Sequence, residues 1–101
     1  MASNNNYPEI DVIATQYADL VKKEMKVESI YLFGSYTNGT PNQDSDIDIA
    51  VIADDFSGDV LEDTLWLMKI RRKVDLRIEP HAMKADNPFI KEVIATGRKI
   101  G

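Results

Sequence analysis

The chain has 101 residues, of which 44% are hydrophobic and 29% are charged, and its net charge at pH 7 is −5. These totals predict a single globular domain over residues 1–101, with residues 1–7 expected to be flexible. The acidic balance argues against long nucleic acid as a partner, because proteins that track DNA or RNA normally present a basic face. The absence of cysteine excludes disulfides, thiolate nucleophiles and zinc–thiolate sites.

The sequence also lacks the features of a membrane or secreted protein. No apolar run approaches the roughly 18 residues that a membrane-spanning helix needs. The start, MASNNNYPEI, has no apolar segment of the kind that a signal peptide carries. We therefore expect a soluble, cytoplasmic protein that does not contact a membrane.

The first half of the chain predicts one helix and two strands. Residues 8–26 predict a helix, because Pro8 suits a first helical turn and apolar residues recur at helical spacing. Residues 28–34 predict a short strand, and the Asn-Gly and Pro-Asn pairs that follow are typical of chain reversal. Residues 46–53, rich in isoleucine and valine, predict a second strand.

The second half predicts two helices and a third strand. Residues 59–72 predict a helix with apolar residues almost all the way around it, which indicates either deep burial or the docking of a partner. Residues 73–78 alternate apolar and polar side chains and predict the third strand. Asn87 and Pro88 predict the start of the last helix, and Gly97 predicts its end.

Three aspartates, Asp44, Asp46 and Asp48, stand at alternate positions where the second predicted strand begins. Side chains alternate between the faces of a strand, so Asp46 and Asp48 point to one face, ~6.6 Å apart at the backbone. Two flexible carboxylates at that spacing can converge on one ion, or on two ions that share ligands. Hard oxygen ligands of this type favour Mg²⁺ or Mn²⁺, with substrate phosphates completing the coordination.

Chain direction predicts where these carboxylates meet other residues. If the first two strands form an antiparallel hairpin, Gly34 and Ser35 at the end of the first lie beside Asp46 and Asp48 at the start of the second. A third strand parallel to the second would bring Asp75, near its own start, to the same end of the sheet. Three carboxylates and a Gly-Ser turn would then share one edge.

Each of these features also has a plain structural interpretation. Aspartates before a strand are often only turn residues, and Asp75 could be a solvated residue on a polar strand face. An EF-hand calcium loop is a further alternative, although Ile49 and Asp55 stand where that loop needs Gly and Glu. His81 directly follows Pro80, and we expect it in a solvated loop.

Taken together, the motif residues resemble the signature of a known family. Gly34 and Ser35, then ten residues, then Asp46 and Asp48 are similar to the motif of the nucleotidyltransferase superfamily whose best-known member is DNA polymerase beta. The longer stretch GSYTNGTPNQDSDIDIAVI, which includes Ser45, resembles the minimal nucleotidyltransferases, or MNT proteins.

This resemblance covers nearly the whole chain from about Ile30 onward. Asp75, within KVDLRI, lies where the family carries its third carboxylate, and FIKEVIATGRKI is similar to the closing helix of the family. The resemblance implies an α/β (α+β) domain in which a small mixed β-sheet, with strand order 1-2-3, packs with helices.

The resemblance also implies roles for individual residues. Asp46, Asp48 and Asp75 are the implied catalytic residues and ligands of two Mg²⁺ ions, with Mn²⁺ as a substitute, and Asp75 would help deprotonate the acceptor hydroxyl. Backbone N–H groups at Gly34 and Ser35 would hold the terminal phosphates of ATP, the implied nucleotide triphosphate. The other implied nucleotide-binding residues are Asn38, Ser45 and Arg77.

The resemblance further implies a protein partner. MNT proteins occur in pairs with HEPN-type proteins, which are often ribonuclease toxins, and some of them inactivate the partner by transferring AMP from ATP to a tyrosine. The leading hypothesis is a Mg²⁺-dependent protein adenylyltransferase that acts as antitoxin in a hetero-oligomer, with residues 59–72 as a docking surface.

Two other functions stay open. The chain could be a non-catalytic antitoxin with a weak nucleotide site, because Asn38 stands where the family often has an arginine. Arg77 either compensates for that missing charge or pairs in the neighbourhood of Glu79 at the surface. The chain could also transfer a nucleotidyl group to a small molecule or to RNA.

Overall fold

The computed structural model describes residues 8–34 and 46–101, so the prediction for residues 1–7 lies outside it. Three helices and four strands form within the described ranges. They are α1 (Pro8–Glu24), β1 (Ser29–Phe33), β2 (Ile47–Ile52), α2 (Val60–Arg71), β3 (Ile78–Met83), α3 (Ile90–Thr96) and β4 (Arg98–Lys99). The predicted helices 8–26 and 59–72 and the predicted strands 28–34 and 46–53 are confirmed to within two residues at each end. Across the described ranges, no helix is long and apolar enough to cross a membrane.

The strands form one mixed sheet in the order β3-β2-β1-β4. β1 and β2 are antiparallel, and β2 and β3 are parallel, so the predicted order 1-2-3 is present. The structure adds β4, which pairs with β1 at the opposite edge and which the sequence patterns did not predict. The antiparallel register places Phe33, the last residue of β1, opposite Asp48, and the parallel register places Glu79 beside Asp48.

The sheet lies between two apolar layers because its side chains alternate. Ile47, Ile49 and Val51 face the larger cluster, where α1 and α2 pack. Ala50 and Ile52 face a smaller cluster that α3 covers. Asp48 has the same parity as Ala50, so it belongs to the face that carries α3 and lies near the end of that layer.

The first turn of α2 is fixed by carboxylates. The side chain of Asp59 caps the helix by accepting the backbone N–H of Glu62 at 3.1 Å. Asp63, only 9% exposed, accepts from the backbone N–H and the hydroxyl of Ser57 at 3.1 and 2.9 Å and from the backbone N–H of Gly58 at 3.3 Å. These bonds tie the start of α2 to the loop before it.

The predicted third strand is wrong, because residues 73–78 form turns up to Ile78. Backbone bonds from Val74 N–H and Asp75 N–H to Arg71 O, both 2.9 Å, continue the end of α2 as turns. The Asp75 carboxylate then accepts the backbone N–H of Arg77 at 2.8 Å, which is typical of an aspartate turn. Leu76, assigned to an apolar strand face by its spacing, is 67% exposed.

The strand β3 instead runs through Pro80 and His81, so the prediction of a solvated loop at His81 is also wrong. Pro80 is tolerated because β3 is an edge strand. At the two ends of the ladder, Ile47 N–H donates to Arg77 O and Ala53 N–H donates to Met83 O, at 2.9 and 3.0 Å. Backbone groups alternate along a strand, so Pro80 directs its missing donor away from β2.

The last helix begins two residues later than predicted. Asn87 accepts the backbone N–H of Phe89 at 2.8 Å, but this bond closes a turn, and α3 begins only at Ile90 without a side-chain cap. Its predicted end is confirmed, since the N–H of Gly97 donates to Val93 O at 2.7 Å.

Tyr17 joins α1 to α2 inside the larger cluster. The side chain is fully buried, and its hydroxyl donates to the backbone carbonyl of Leu67 at 2.7 Å. Burial raises the pKa of the Tyr17 phenol above its ordinary value, and the nearby Arg71 opposes that shift only in part. The neutral phenol is therefore part of the folded core.

We expect Tyr17→Phe to lower the free energy of unfolding by about 1 kcal/mol at neutral pH, because one buried hydrogen bond is lost. A raised pKa stabilises the fold fully below the unfolded value of about 10, and this contribution disappears as the pH rises above it. The difference between parent and variant should thus shrink between pH 9 and pH 11 in urea unfolding. Tyr31→Phe, at a half-buried tyrosine, is the control, and a difference that does not change with pH would contradict the prediction.

Candidate active site

Asp48 is the centre of the candidate site. It is the second residue of β2, and its side chain is 27% exposed. Its Oδ1 atom lies 3.2 Å from Nε2 of His81 on β3. The predicted meeting of the end of β1 with the start of β2 is confirmed by the pairing of Phe33 with Asp48.

Gly34, the residue after β1, lies against the carboxylate of Asp48. Its φ of +85° is in the left-handed region that favours glycine. A Cβ atom at this position would overlap Oδ2 of Asp48 and would lie 3.1 Å from its Cγ. A glycine is therefore needed here for two reasons, the backbone conformation and the space that the carboxylate occupies.

Asp46 lies immediately before β2 and is exposed. The strand begins at Ile47, whose backbone N–H donates to the carbonyl of Arg77 at 2.9 Å. Asp46 thus stands at the same end of the sheet as Asp48. An exposed carboxylate beside a half-buried one fits the chemistry of a divalent cation that also keeps water ligands.

Asp75 is held by Arg77 rather than by the sheet. Nε and Nη2 of Arg77 donate to the two carboxylate oxygens of Asp75 at 3.1 and 2.9 Å. This hydrogen bonding holds the pKa of the Asp75 carboxyl below its ordinary value. In the structure Arg77 thus pairs with Asp75, and its role toward the nucleotide stays a prediction.

The predicted convergence of three carboxylates is not found in the described part of the chain. Residues 8–34 and 46–101 contain no group of three or more histidine, aspartate or glutamate side chains arranged to hold a metal ion. The sequence predicted Asp75 near Asp46 and Asp48 on the assumption that Asp75 lies within the third strand. This prediction is wrong because Asp75 precedes β3 by three residues. Its proposed role as third carboxylate stays a prediction.

The sequence patterns missed two residues that the sheet brings to Asp48. Glu79 is its register partner on β3, and His81 contacts it directly. The available signal was alternation beyond Pro80, in which Glu79, His81 and Met83 share one face. A strand predicted to end at residue 78 does not include this signal. Ser35, Asn38 and Ser45, predicted to bind the nucleotide, lie outside the described residues.

Comparison with known proteins identifies the family. Residues 15–101 match the family model described as polymerase beta, nucleotidyltransferase. The chain is 34% identical over 88 residues to MJ1379 of Methanocaldococcus jannaschii, named as a candidate protein adenylyltransferase, and the match covers 85% of this chain and 88% of that protein. The chain belongs to the polymerase beta nucleotidyltransferase family. The resemblance predicted from the sequence is thus confirmed.

Other similar proteins extend the comparison. The protein adenylyltransferase MntA of Shewanella oneidensis is 63% identical over 30 residues, which are 30% of this chain and 22% of MntA. The crystal structure of a candidate nucleotidyltransferase from Sulfolobus solfataricus has a TM-score of 0.72 at 16% identity, covers 98% of this chain and 86% of its own, and shows the shared fold. A toxin–antitoxin crystallised with AMP-PNP has a TM-score of 0.59 at 26% identity, over 86% of this chain and 72% of its own.

We expect Gly34→Ala to disturb the site, and Gly58→Ala provides a matched control. Both glycines have positive φ, at +85° and +97°, so each alanine should lower the free energy of unfolding by about 1 kcal/mol. Nothing lies within 4 Å of a Cβ at Gly58, whereas a Cβ at Gly34 overlaps the Asp48 carboxylate. Only Gly34→Ala should therefore weaken Mn²⁺ binding in calorimetry. Equal Mn²⁺ affinity in the two variants would show that the contact with Asp48 does not matter.

Proposed function

We propose that this nucleotidyltransferase is a Mg²⁺-dependent protein adenylyltransferase, which transfers AMP from ATP to a hydroxyl of a HEPN-type protein and acts as its antitoxin. Two relatives named for protein adenylylation and a similar toxin–antitoxin crystallised with AMP-PNP support this proposal. The observation that carries it is the placement of the Asp48 carboxylate against the backbone of Gly34.

That placement joins the two elements that transfer from a triphosphate requires. A glycine turn can present backbone N–H groups to phosphate oxygens, because no side chain blocks the approach. A carboxylate beside it can hold the cation that neutralises the same phosphates. In this chain the antiparallel pairing of β1 and β2 places the two side by side.

The oxygen ligands fit a magnesium site. Asp46 and Asp48 would hold the ions, which when bound stabilise charge on the entering and leaving oxygens. The chain offers two residues for the third carboxylate. Glu79 pairs with Asp48 in the sheet, whereas both oxygens of Asp75 already accept hydrogen bonds from Arg77. For the proton-accepting role of the third carboxylate we therefore favour Glu79, although it forms no group of three metal ligands within the described ranges, with Asp75 as the alternative.

The reaction makes one bond and breaks one bond at phosphorus. The hydroxyl oxygen of the acceptor attacks the α-phosphorus of ATP, and the bond from that phosphorus to the oxygen that bridges to the β-phosphate breaks. Pyrophosphate leaves with the electron pair of the broken bond. The hydroxyl proton passes to a carboxylate, for which Glu79 is placed beside Asp48.

The exposed side of α2 supports the docking of a protein partner. Asp63, Leu67 and Ile70 face inward, while Leu61 and Leu65 are 70% and 52% exposed. A helix that is apolar on its solvent side as well as its buried side is typical of an interaction surface. The carboxylate contacts at the start of α2 hold this surface in place. Its proposed occupant is the HEPN-type protein that the MNT resemblance implies, and the similarity of this chain, at 26% identity, to a toxin–antitoxin structure supports a protein partner.

The transfer itself is tested with labelled ATP, Mg²⁺ and the protein encoded beside this one. We expect label on that protein with the parent chain, and a loss of about 10²–10³-fold with Asp48→Asn, which removes one anionic ligand. Asp19→Asn is the control, since Asp19 is an exposed aspartate of α1, and α1 packs on the other face of the sheet. Failure to label any acceptor with the parent would refute the enzymatic proposal.

The same assay assigns the third carboxylate. We expect Glu79→Gln to lower the rate of transfer by about 10²–10⁴-fold, the range for loss of a general base. Asp75→Asn should mainly weaken its pairing with Arg77 and lower stability by at most about 1 kcal/mol, because Arg77 is 36% exposed. If Asp75→Asn lowers the rate of transfer more than Glu79→Gln does, Asp75 rather than Glu79 is the third carboxylate.

Docking is tested separately from catalysis. The double variant Leu61→Ser/Leu65→Ser should weaken binding to the HEPN-type partner by about 10- to 100-fold, because apolar anchors dominate such interfaces. Val12→Ser, at a residue of α1 that is 56% exposed, is the matched control. Calorimetry or surface plasmon resonance measures the affinity. If both variants bind as tightly as the parent, α2 is not the docking surface.

The non-catalytic alternative makes a different prediction. The exposed side of α2 does not depend on Asp48, so a purely steric antitoxin would inhibit its partner equally well as the parent and as Asp48→Asn. Full inhibition by both, without label on the partner, would favour that alternative.

A further inference from the structure

We infer that His81 is a positioning residue of the active site, which fixes the orientation of the Asp48 carboxylate through its Nε2–H group. The inference rests on the proposed function, because it concerns the carboxylate that would hold the metal ion. It assigns a role in metal binding to the one histidine of the chain.

The contact itself is a hydrogen bond of defined direction. Nε2 of His81 lies 3.2 Å from Oδ1 of Asp48, within the normal range for N–H···O bonds. An ionised carboxylate can only accept, so the proton of this bond belongs to Nε2. The two residues are 33 apart in sequence and meet because β2 and β3 are parallel neighbours.

Two aromatic contacts hold the imidazole ring at this position. The ring of Phe33 meets it edge to face, with centroids 5.1 Å apart and an interplanar angle of 62°. Phe89, which directly precedes α3, packs in the same manner on Phe33 at 6.0 Å. The histidine is therefore supported from β1 and from the start of α3, and its side chain is only 38% exposed.

The carboxylate of Asp48 is consequently oriented by a hydrogen bond on one oxygen, while the other oxygen lies close to the backbone. Oδ1 accepts from His81, and Oδ2 lies against Gly34, where a Cβ atom would overlap it. Each oxygen keeps a lone pair for a cation, but rotation of the carboxylate would break the histidine bond. Carboxylates that ligate metals are commonly oriented in this way, and loss of the orienting partner typically lowers metal affinity by about 10–100-fold.

The test is a titration of the full chain with Mn²⁺ alone. Binding is measured by calorimetry or from the electron paramagnetic resonance signal of free Mn²⁺. His81→Leu removes the donor and keeps apolar packing on Phe33, and we expect it to weaken Mn²⁺ binding by about 10–100-fold. His81→Gln keeps an N–H donor at a similar reach and should retain most of the affinity. Melting temperatures without metal show that each variant is folded.

The outcomes separate this inference from the proposed function. If the parent binds Mn²⁺ and both variants bind it equally well, the positioning role is wrong while the metal site stands. If both variants lose affinity to the same extent, packing rather than the hydrogen bond is responsible, and the inference is again wrong. If the parent itself does not bind Mn²⁺, the metal dependence in the proposed function fails, and the inference fails with it.

A second measurement uses only the parent protein, so it does not depend on whether a variant folds. Because the chain has one histidine, the signals of its ring nitrogens in ¹H–¹⁵N correlation spectra need no further assignment. In the metal-free protein, we expect Nε2 to carry the proton of the hydrogen bond to Asp48. A ring that carries its proton on Nδ1 would overturn the inference.

Discussion

The close approach of the Asp48 carboxylate to the backbone of Gly34 is the constraint on which the candidate site depends. It requires a glycine with positive φ at the end of β1 and a carboxylate at the start of β2. It also requires an antiparallel register that pairs Phe33 with Asp48, because a shift by one residue would turn Asp48 to the opposite face. The apolar residues of β2 enforce that register, since Ile47, Ile49 and Val51 must face the larger cluster.

The position of the site therefore follows from the division of the apolar core into two clusters. The larger cluster under α1 and α2 fixes the sheet, while the smaller cluster under α3 ends before Asp48 and leaves that end of the face open. The residues that line this opening come from β2, from β3 and from the end of β1. Catalytic groups placed on strands in this way are held more rigidly than groups on loops, and strands suit a reaction that needs several charges within a few ångströms.

Much of the fold could be predicted from sequence, because α1 has apolar residues at helical spacing and β2 is a short run rich in isoleucine and valine. The prediction was wrong at residues 73–78. Val74, Leu76 and Ile78 alternate with polar residues in the sequence, but the chain forms turns there and the three side chains do not share a strand face. Hydrogen bonds to Arg71 and the pairing of Asp75 with Arg77 hold this segment in turns, and local polar contacts of this kind outweigh a short apolar pattern.

The only part of the site that could be predicted from sequence is the part that depends on the relative direction of neighbouring strands. The meeting of Gly34 with Asp48 follows from an antiparallel hairpin, which the sequence predicts. Glu79 and His81 could not be found in the same way, because their place beside Asp48 depends on where β3 begins. Sequence gives the residue types along a strand, but the register between parallel strands is set by packing at a distance.

The proline in β3 has a consequence beyond the position of His81. Among the described strands, β3 forms one edge of the sheet, and exposed edges can recruit strands from other molecules. Pro80 stands inside this edge strand and turns its missing donor outward, so a further strand would find a gap in its hydrogen-bond ladder. The protein can thus offer an apolar helix to a partner while its sheet resists aggregation by strand addition.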